Sequence, residues 1–387
     1  MSKRPYEDHG PNANYPKRLT IAQIVPDRDG GDERVGPSPP LAHGDYTIAW
    51  ICALHLELAA SRAMLDEVYQ QLPAFEGDDN TYTLGRIKQH NIVMVCLPGQ
   101  YGTNNAAVVT TDLKRSFPNI RATLMVGIGG GAPGAADVRL GDVVVGTRVM
   151  QHDMGKDVGN GLFEITADPK IPARRLLSAV TNLRALHERD TLSARVTNVL
   201  QTRLPNHYRP LQPDQLFLSS YDHPPGAPTC DSCDTAQVEP RRLRVSEDPQ
   251  IHYGGIASGN SVIRNAKKRD HIAKQFSVLC FEMEAAGMTD SDCLPIRGIC
   301  DYSDSHKNKE WQHYAAATAA AYARELLETL PRASQESCRT ATRLDTLSKP
   351  DVVGMRSPRS HGPLLYWDNA DYAIDRQPSF GAATAVT

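Results

Sequence analysis

No run of apolar residues in this chain approaches the ~18 that a membrane-spanning helix requires. The N-terminal Met1-Ser2-Lys3-Arg4-Pro5-Tyr6 has no apolar signal-peptide core. Both absences argue against secretion and against a membrane partner. Neither sign of charge is in excess: the formal net charge is −3, which gives no global reason to expect nucleic acid or an anionic surface as partner. A disulfide framework is not indicated either. Of eight cysteines, Cys52, Cys96, Cys280 and Cys300 lie in or beside apolar, strand-like runs, the pattern of reduced core thiols in a cytoplasmic protein. Lys3-Arg4 and Lys17-Arg18 hint at a nuclear address as an alternative, although solvated charge accounts for them more simply. There is no internal repeat and no GxxxxGK[ST] phosphate loop.

What is present suffices for one large α/β domain with tails, since the chain has 387 residues of which 40% are hydrophobic. Residues 1–44, rich in Pro, Gly, Asp and Arg, read as a disordered leader, and 331–387 as a second tail. Between them, 45–330 forms the expected domain. Strands are expected at Tyr46–Cys52, Ile92–Leu97, Ala122–Ile128 and Asp142–Val145, with a helix through Leu56, Leu58, Ala59, Ala60, Met64 and Leu65 and another over Asn104–Phe117. Strand and helix in alternation argue for a mostly parallel sheet wrapped by helices. From about 200 to 250 the apolar periodicity fades and Pro, His, Tyr, Asp and Arg dominate, which reads as an insertion. Glu310–Leu330, Ala-rich in its middle, is the most regular helical stretch.

Chemistry is expected where acids end buried strands. Leu279-Cys280-Phe281 runs into Glu282-Met283-Glu284-Ala285, and Pro295-Ile296-Arg297-Gly298-Ile299 runs into Cys300-Asp301, as two neighbouring buried strands. A carboxylate there is costly unless paired or used, and strand C-terminal ends are where open α/β sheets bind ligands. Helix capping is the bland alternative. Met125–Gly134 is a strand entering a turn, and Gly129-Gly130-Gly131 would let backbone amides approach a ligand closely. Its spacing is not that of the dinucleotide fingerprint.

In order and spacing, Gly127–Pro133, Arg139–Val145, Ile256-Ala257-Ser258-Gly259, Glu282–Ala285 and Arg297–Asp301 together resemble the nucleoside phosphorylase and methylthioadenosine/S-adenosylhomocysteine nucleosidase superfamily. More narrowly, Ile51–Leu54, Gly298–Lys307 and Trp311–Ala321 look like the nucleosidase-like domain of fungal receptors that also carry a NACHT-type module. The resemblance implies a three-layer α/β/α phosphorylase-like fold with a mixed, partly closed central sheet. It implies a homo-oligomer acting on a small-molecule purine nucleoside or nucleotide, without metal or cofactor. Asp301 matches the acid that protonates the leaving purine at N7, for which burial at a strand end would raise its pKa. Glu284 matches the acid that binds the ribose hydroxyls, with Met283 packing on the sugar. Glu57 matches the glutamate that orients the attacking water; by itself it reads better as a first-turn helix acid. Glu282, Gly129, Gly130, Ile256, Ser258, Asn260 and His152 complete the expected substrate contacts.

Where hexameric phosphorylases grip phosphate with an arginine and a serine, the matching positions here are Met125 and Ile128. The expected reaction is therefore hydrolysis to free adenine, with adenosine or ATP as substrate. A phosphate-dependent phosphorylase and a non-catalytic nucleoside-sensing or assembly domain are the alternatives. Asn260 stands where an aspartate is usual, and Val262 where an aromatic would stack on the base. Triphosphate contacts are sought among Arg148, His152, Lys156, Arg264, Lys267 and Lys268.

Cys230-Asp231-Ser232-Cys233 supplies half of a zinc ligand set, with His207, His223 and His252 around it. No second C-x-x-C or H-x-x-x-H follows nearby, so a loop without metal is expected.

Overall fold

A computed structural model describes residues 41–159, 162–189, 193–227, 229–288 and 293–332. The chain divides into two compact units, Met1–Arg332 and Ala333–Thr387. The second unit lies outside the described residues, as do 1–40 of the expected leader.

The elements run β1 (Ile48–Cys52), α1 (His55–Ala63), β2 (Glu67–Tyr69), β3 (Tyr82–Ile87), β4 (His90–Cys96), α2 (Thr103–Ser116), β5 (Ala122–Gly131), β6 (Val143–Gln151), β7 (Gly155–Gly159), β8 (Leu162–Ile165), α3 (Arg174–Arg189), α4 (Ser193–Arg203), β9 (Ile251–Ser258), α5 (Ala266–Phe276), β10 (Val278–Glu282), β11 (Cys293–Asp301) and α6 (Gln312–Thr329). Nine strands form one sheet in the order β10-β9-β6-β11-β5-β1-β4-β3-β2, and β10 also pairs with β5. That second pairing closes β10, β9, β6, β11 and β5 into a ring. The sheet is mixed: β1 runs parallel to β4 and β5, whereas β6 runs antiparallel to β11. β7 and β8 make a separate hairpin.

The two acid-bearing strands are not neighbours, contrary to the sequence expectation. β5 lies between them, parallel to β11 and antiparallel to β10. Sequence proximity suggested adjacency; ring closure inserts the glycine-rich strand instead. Gly130 of β5 is opposite both Phe281 and Asp301.

Alternation along β1 shows how the layers form. Ile48, Trp50 and Cys52 enter one core with Ala60 of α1, with Met64 just after that helix and with α6, while Ala49 and Ile51 enter another with Ala106, Val109 and Leu113 of α2. Both faces are buried, so the strand reads as an unbroken apolar run. α6 lies close against β11, where a Cβ on Gly298 would fall 1.8 Å from the carbonyl oxygen of Ala315. Glycine on the strand and alanines on the helix permit that approach. Between α4 and β9, residues 204–250 hold two short 3-10 turns, Cys230–Ser232 and Thr235–Gln237. A buried ion pair fastens this stretch to the domain, Arg244 to Asp142 at 2.7 Å, and Arg241, held within the stretch by Asp214 at 2.8 Å, donates to the Tyr302 hydroxyl at 2.8 Å.

Candidate active site

A cavity of about 390 Å³ opens where the ends of β1, β5, β10 and β11 meet. The segment 53–57 after β1, Ile128, Gly129 and Gly130 of β5, Glu282, Met283 and Glu284 after β10, and Arg297 of β11 line it. Tyr101, Val262, Ile263, Phe281, Ser303, Lys307 and Lys309 complete much of the wall.

Its floor is a carboxylate cluster around one guanidinium. Glu57 is buried at the start of α1, and its Oε2 accepts hydrogen bonds from the amides of Ala53 at 2.8 Å and Leu54 at 3.0 Å. Its Oε1 accepts a third, at 2.8 Å, from the amide of Ile128 on β5. Burial raises the Glu57 pKa, against the opposing pull of Arg297 and these amides. Arg297 is buried in mid-strand and donates through Nη2 to Glu282 and, at 3.1 Å, to Glu284. Burial alone would lower the Arg297 pKa, but Glu282, Glu284 and Glu57 reverse this and raise it. Glu282 is also tied down by the amides of Glu284 and Ala285. Glu284, whose Oε1 takes the Gly102 amide at 3.3 Å, is pushed up by burial from an ordinary 4.5 to about 7; Arg297 pulls it down, and Glu282 and Glu57 push it further up. Two of these three acids thus pair with one internal arginine and the third has only backbone amides, leaving the floor short of positive charge.

Asp301 ends β11 at a register irregularity opposite Gly130, which re-aims its side chain. Its Oδ1 accepts the Ser303 amide at 2.9 Å, and its Oδ2 accepts from the Cys300 thiol at 3.1 Å and from Lys307 Nζ at 2.8 Å. Ser303 adopts φ +53, a left-handed conformation unusual for serine. A Cβ on Gly130 would fall 2.7 Å from Asp301 Oδ1 and 2.1 Å from Ser303 Oγ, so only glycine leaves room here. Asp301 is buried and does not itself line the cavity; Cys300, Ser303 and Lys307 do.

The structure therefore brings together Glu57, Glu282, Met283, Glu284, Gly129 and Gly130 on the cavity wall. Four expected contacts lie off it. Ile256 is in the core beneath β9, and the Ser258 hydroxyl accepts the Ala286 amide at 2.9 Å. Asn260 is engaged by Thr103 at 2.9 Å and by Asp153. His152 is buried against Phe281, with ring centroids 5.9 Å apart, and burial lowers its pKa. Arg148, Lys156, Arg264, Lys267 and Lys268 are likewise off the wall, and Arg148 donates to the carbonyl oxygen of Phe276. Met125 is fully buried, and the amide of Ile128 is taken by Glu57.

Sequence reasoning gave no role to Arg297, Lys307 or Lys309. Arg297 carried a readable signal, because a charge inside an apolar strand demands buried partners. Lys307 follows Asp301 through a turn and carried no periodic signal.

The chain is similar to several known proteins. A nucleotide-binding leucine-rich repeat (NLR)-like protein of Hyaloscypha variabilis is 44% identical over 303 residues, which is 75% of this chain but 30% of that protein. The 5'-methylthioadenosine/S-adenosylhomocysteine nucleosidase of Mycobacterium bovis is 22% identical over 299 residues, covering 74% of this chain and 97% of that one. Among solved structures, the same enzyme from Neisseria meningitidis, in complex with methylthio-immucillin-A, covers 73% of this chain and 99% of its own at 21% identity and a TM-score of 0.48. The family model described as the phosphorylase superfamily matches residues 47–344, and the chain belongs to that superfamily.

Proposed function

We propose that the chain is a purine N-ribohydrolase that cleaves the N-glycosidic bond of an adenine nucleoside or nucleotide, adenosine or ATP. Glu57 carries this reading. A carboxylate held by three backbone amides, one of them from the glycine-rich strand, faces a cavity beside Glu284 and Arg297. Fixed in this way it can orient a water and accept its proton. The same arrangement disfavours phosphate. An anion would meet Glu57, Glu282 and Glu284, while the Arg297 guanidinium is already shared between two of them.

In the proposed reaction the C1′–N9 bond breaks and its electron pair moves into the purine. N7 takes a proton from Asp301, whose carboxyl lies just behind Ser303 and Lys307 of the wall and must turn toward the cavity to deliver it, with the Lys307 ammonium beside Oδ2 as the proton source behind it. The water oxygen bonds to C1′ and its proton goes to Glu57, so water and nucleoside become adenine and ribose. Glu284 accepts hydrogen bonds from the ribose hydroxyls, and the excess of carboxylate stabilises the sugar cation as it forms. Met283 covers the sugar, Phe281 and Tyr101 offer aromatic surface to the base, and Lys309 offers charge to the phosphates of a nucleotide. That the mycobacterial relative is a nucleosidase supports the reaction class.

The test is product analysis with adenosine, AMP, ATP, methylthioadenosine, inosine and guanosine, each with and without phosphate. Free adenine with an unphosphorylated C1, independent of phosphate and lost in Asp301→Asn, is expected. Phosphate-dependent ribose 1-phosphate would replace hydrolysis with phosphorolysis. Nucleoside binding without turnover would replace the enzyme with a sensing module.

A further inference from the structure

Away from the cavity, the stretch between α4 and β9 folds a sulfur- and nitrogen-bearing cluster that the proposed reaction does not use. Cys230–Ser232 forms one 3-10 turn, which brings the i and i+3 side chains to the same side. The sulfurs of Cys230 and Cys233 therefore converge, and the chain before the turn brings His223 to them. One ligand atom from each of the three residues lies within 4.8 Å of the other two. Tetrahedral zinc with Zn–S bonds of ~2.3 Å sets its sulfurs roughly 3.8 Å apart, so only a small inward movement is required.

The surroundings of His223 give a second, independent indication. Its Nδ1 lies 3.0 Å from the Pro224 carbonyl oxygen and its Nε2 lies 3.1 Å from the Thr229 carbonyl oxygen. A neutral imidazole has one N–H, so it can donate to one of these oxygens and must turn a lone pair toward the other. An imidazolium would donate to both oxygens; a metal ion that displaces one carbonyl resolves the arrangement as well, leaving the remaining N–H to donate to the other backbone carbonyl, as metal-bound histidines generally do. His306 is at hand for a fourth position. Its ring centroid is 5.4 Å from that of His223, and its buried Nε2 has no hydrogen-bond partner among the described residues.

We propose that His223, Cys230 and Cys233 form a structural zinc site that clamps the 204–250 stretch onto the segment following Asp301. The clamp acts on one short loop. The Cys230 thiol reaches the His306 carbonyl oxygen at 3.7 Å, the His223 amide donates to Ser305 Oγ at 2.9 Å, and Phe217 stacks on the His306 ring at 4.0 Å. That loop runs from Asp301 to Lys307, so zinc would hold in register the two groups that form the Asp301–Lys307 pair. Two thiols and an imidazole are donors that select zinc over magnesium or calcium.

Metal content of the purified full chain tests this without reference to any activity. Mass spectrometry is expected to find about one zinc per chain, the complement of a single structural site. Cys230→Ser with Cys233→Ser should lose it, and Cys96→Ser should keep it. Cobalt added to chelated wild-type chain should give thiolate-to-cobalt charge-transfer absorption, a readout that does not depend on any variant folding. Zinc return should restore the melting temperature and slow amide exchange over 302–307. A metal-free chain whose two thiols titrate freely, or an intact mass showing a Cys230–Cys233 disulfide, would overturn the site.

Discussion

Lys307 sets its ammonium 2.8 Å from Oδ2 of Asp301, inside a wall where the same carboxyl also receives the Ser303 amide and the Cys300 thiol. Burial opposes the charge on Lys307, and the Asp301 carboxylate outweighs it, so the lysine pKa is raised. The strand-end acid marked in the sequence for proton transfer is one half of an ion pair.

Removing either half should therefore have similar consequences. Lys307→Met is expected to slow adenine release by about 10²-fold or more, the scale of general-acid assistance. Asp301→Asn should do at least as much, and the double variant no more than the worse single one, because the two groups act as a unit. Additive losses would show that they act separately.

Glu57→Gln tests the water. It keeps the shape of the side chain, but its NH₂ cannot accept from the amides that now hold the carboxylate. Turnover is expected to fall by ~10²–10⁴-fold, the range for a lost general base. KM should change little, since Glu57 handles water rather than nucleoside. A large rise in KM with kcat preserved would reassign it to substrate binding.

The elevation of Glu284 has a sign that melting curves can read. Its value in the folded chain, about 7, exceeds the ordinary 4.5. Between these values the folded state binds more protons than the unfolded state. The stability this contributes is full below the lower value and is lost as pH rises through the upper one. Compared with Glu284→Gln, the parent should therefore lose melting temperature steadily across that window. A constant difference between the two would rule out the burial assigned to Glu284.

Arg297→Met would leave Glu282 and Glu284 buried without their shared cation. Breaking such a pair costs about 3–5 kcal/mol. Adding Glu282→Gln and Glu284→Gln to it should recover much of that loss in urea melts while leaving the chain inactive. If Arg297→Met alone unfolds at the parent's midpoint, the cluster contributes nothing to stability.

Much of the frame was legible in the sequence. β1, β4 and β5 are largely apolar runs, and α6 is periodic and rich in alanine, so local pattern locates them within three residues. The β2–β3 ribbon and helices α3 and α4 went unread, because their apolar positions are interleaved with many charges. Glu282 and Glu284 could be found because acids beside buried strands are conspicuous, whereas Glu57 stood out only through the family resemblance. Their dependence on Arg297 could not, since it arises from the strand order of a closed ring. Asn260 illustrates the opposite error: a residue with donor and acceptor suggests recognition, yet here it ties the start of α2 to Asp153.

Ring closure has a further effect. β10 is hydrogen-bonded on one side to β9 and on the other to β5, so the strand carrying Glu282 and leading to Glu284 has no free edge. Local fraying cannot loosen these acids without breaking two ladders at once. Amide protons of β10 should exchange only through global opening, and the floor of the cavity should behave as a rigid mould while adaptation is left to Tyr101 and the lysines at its wall. Selectivity would then reside in the movable rim, and chemistry in the part of the molecule that is last to unfold.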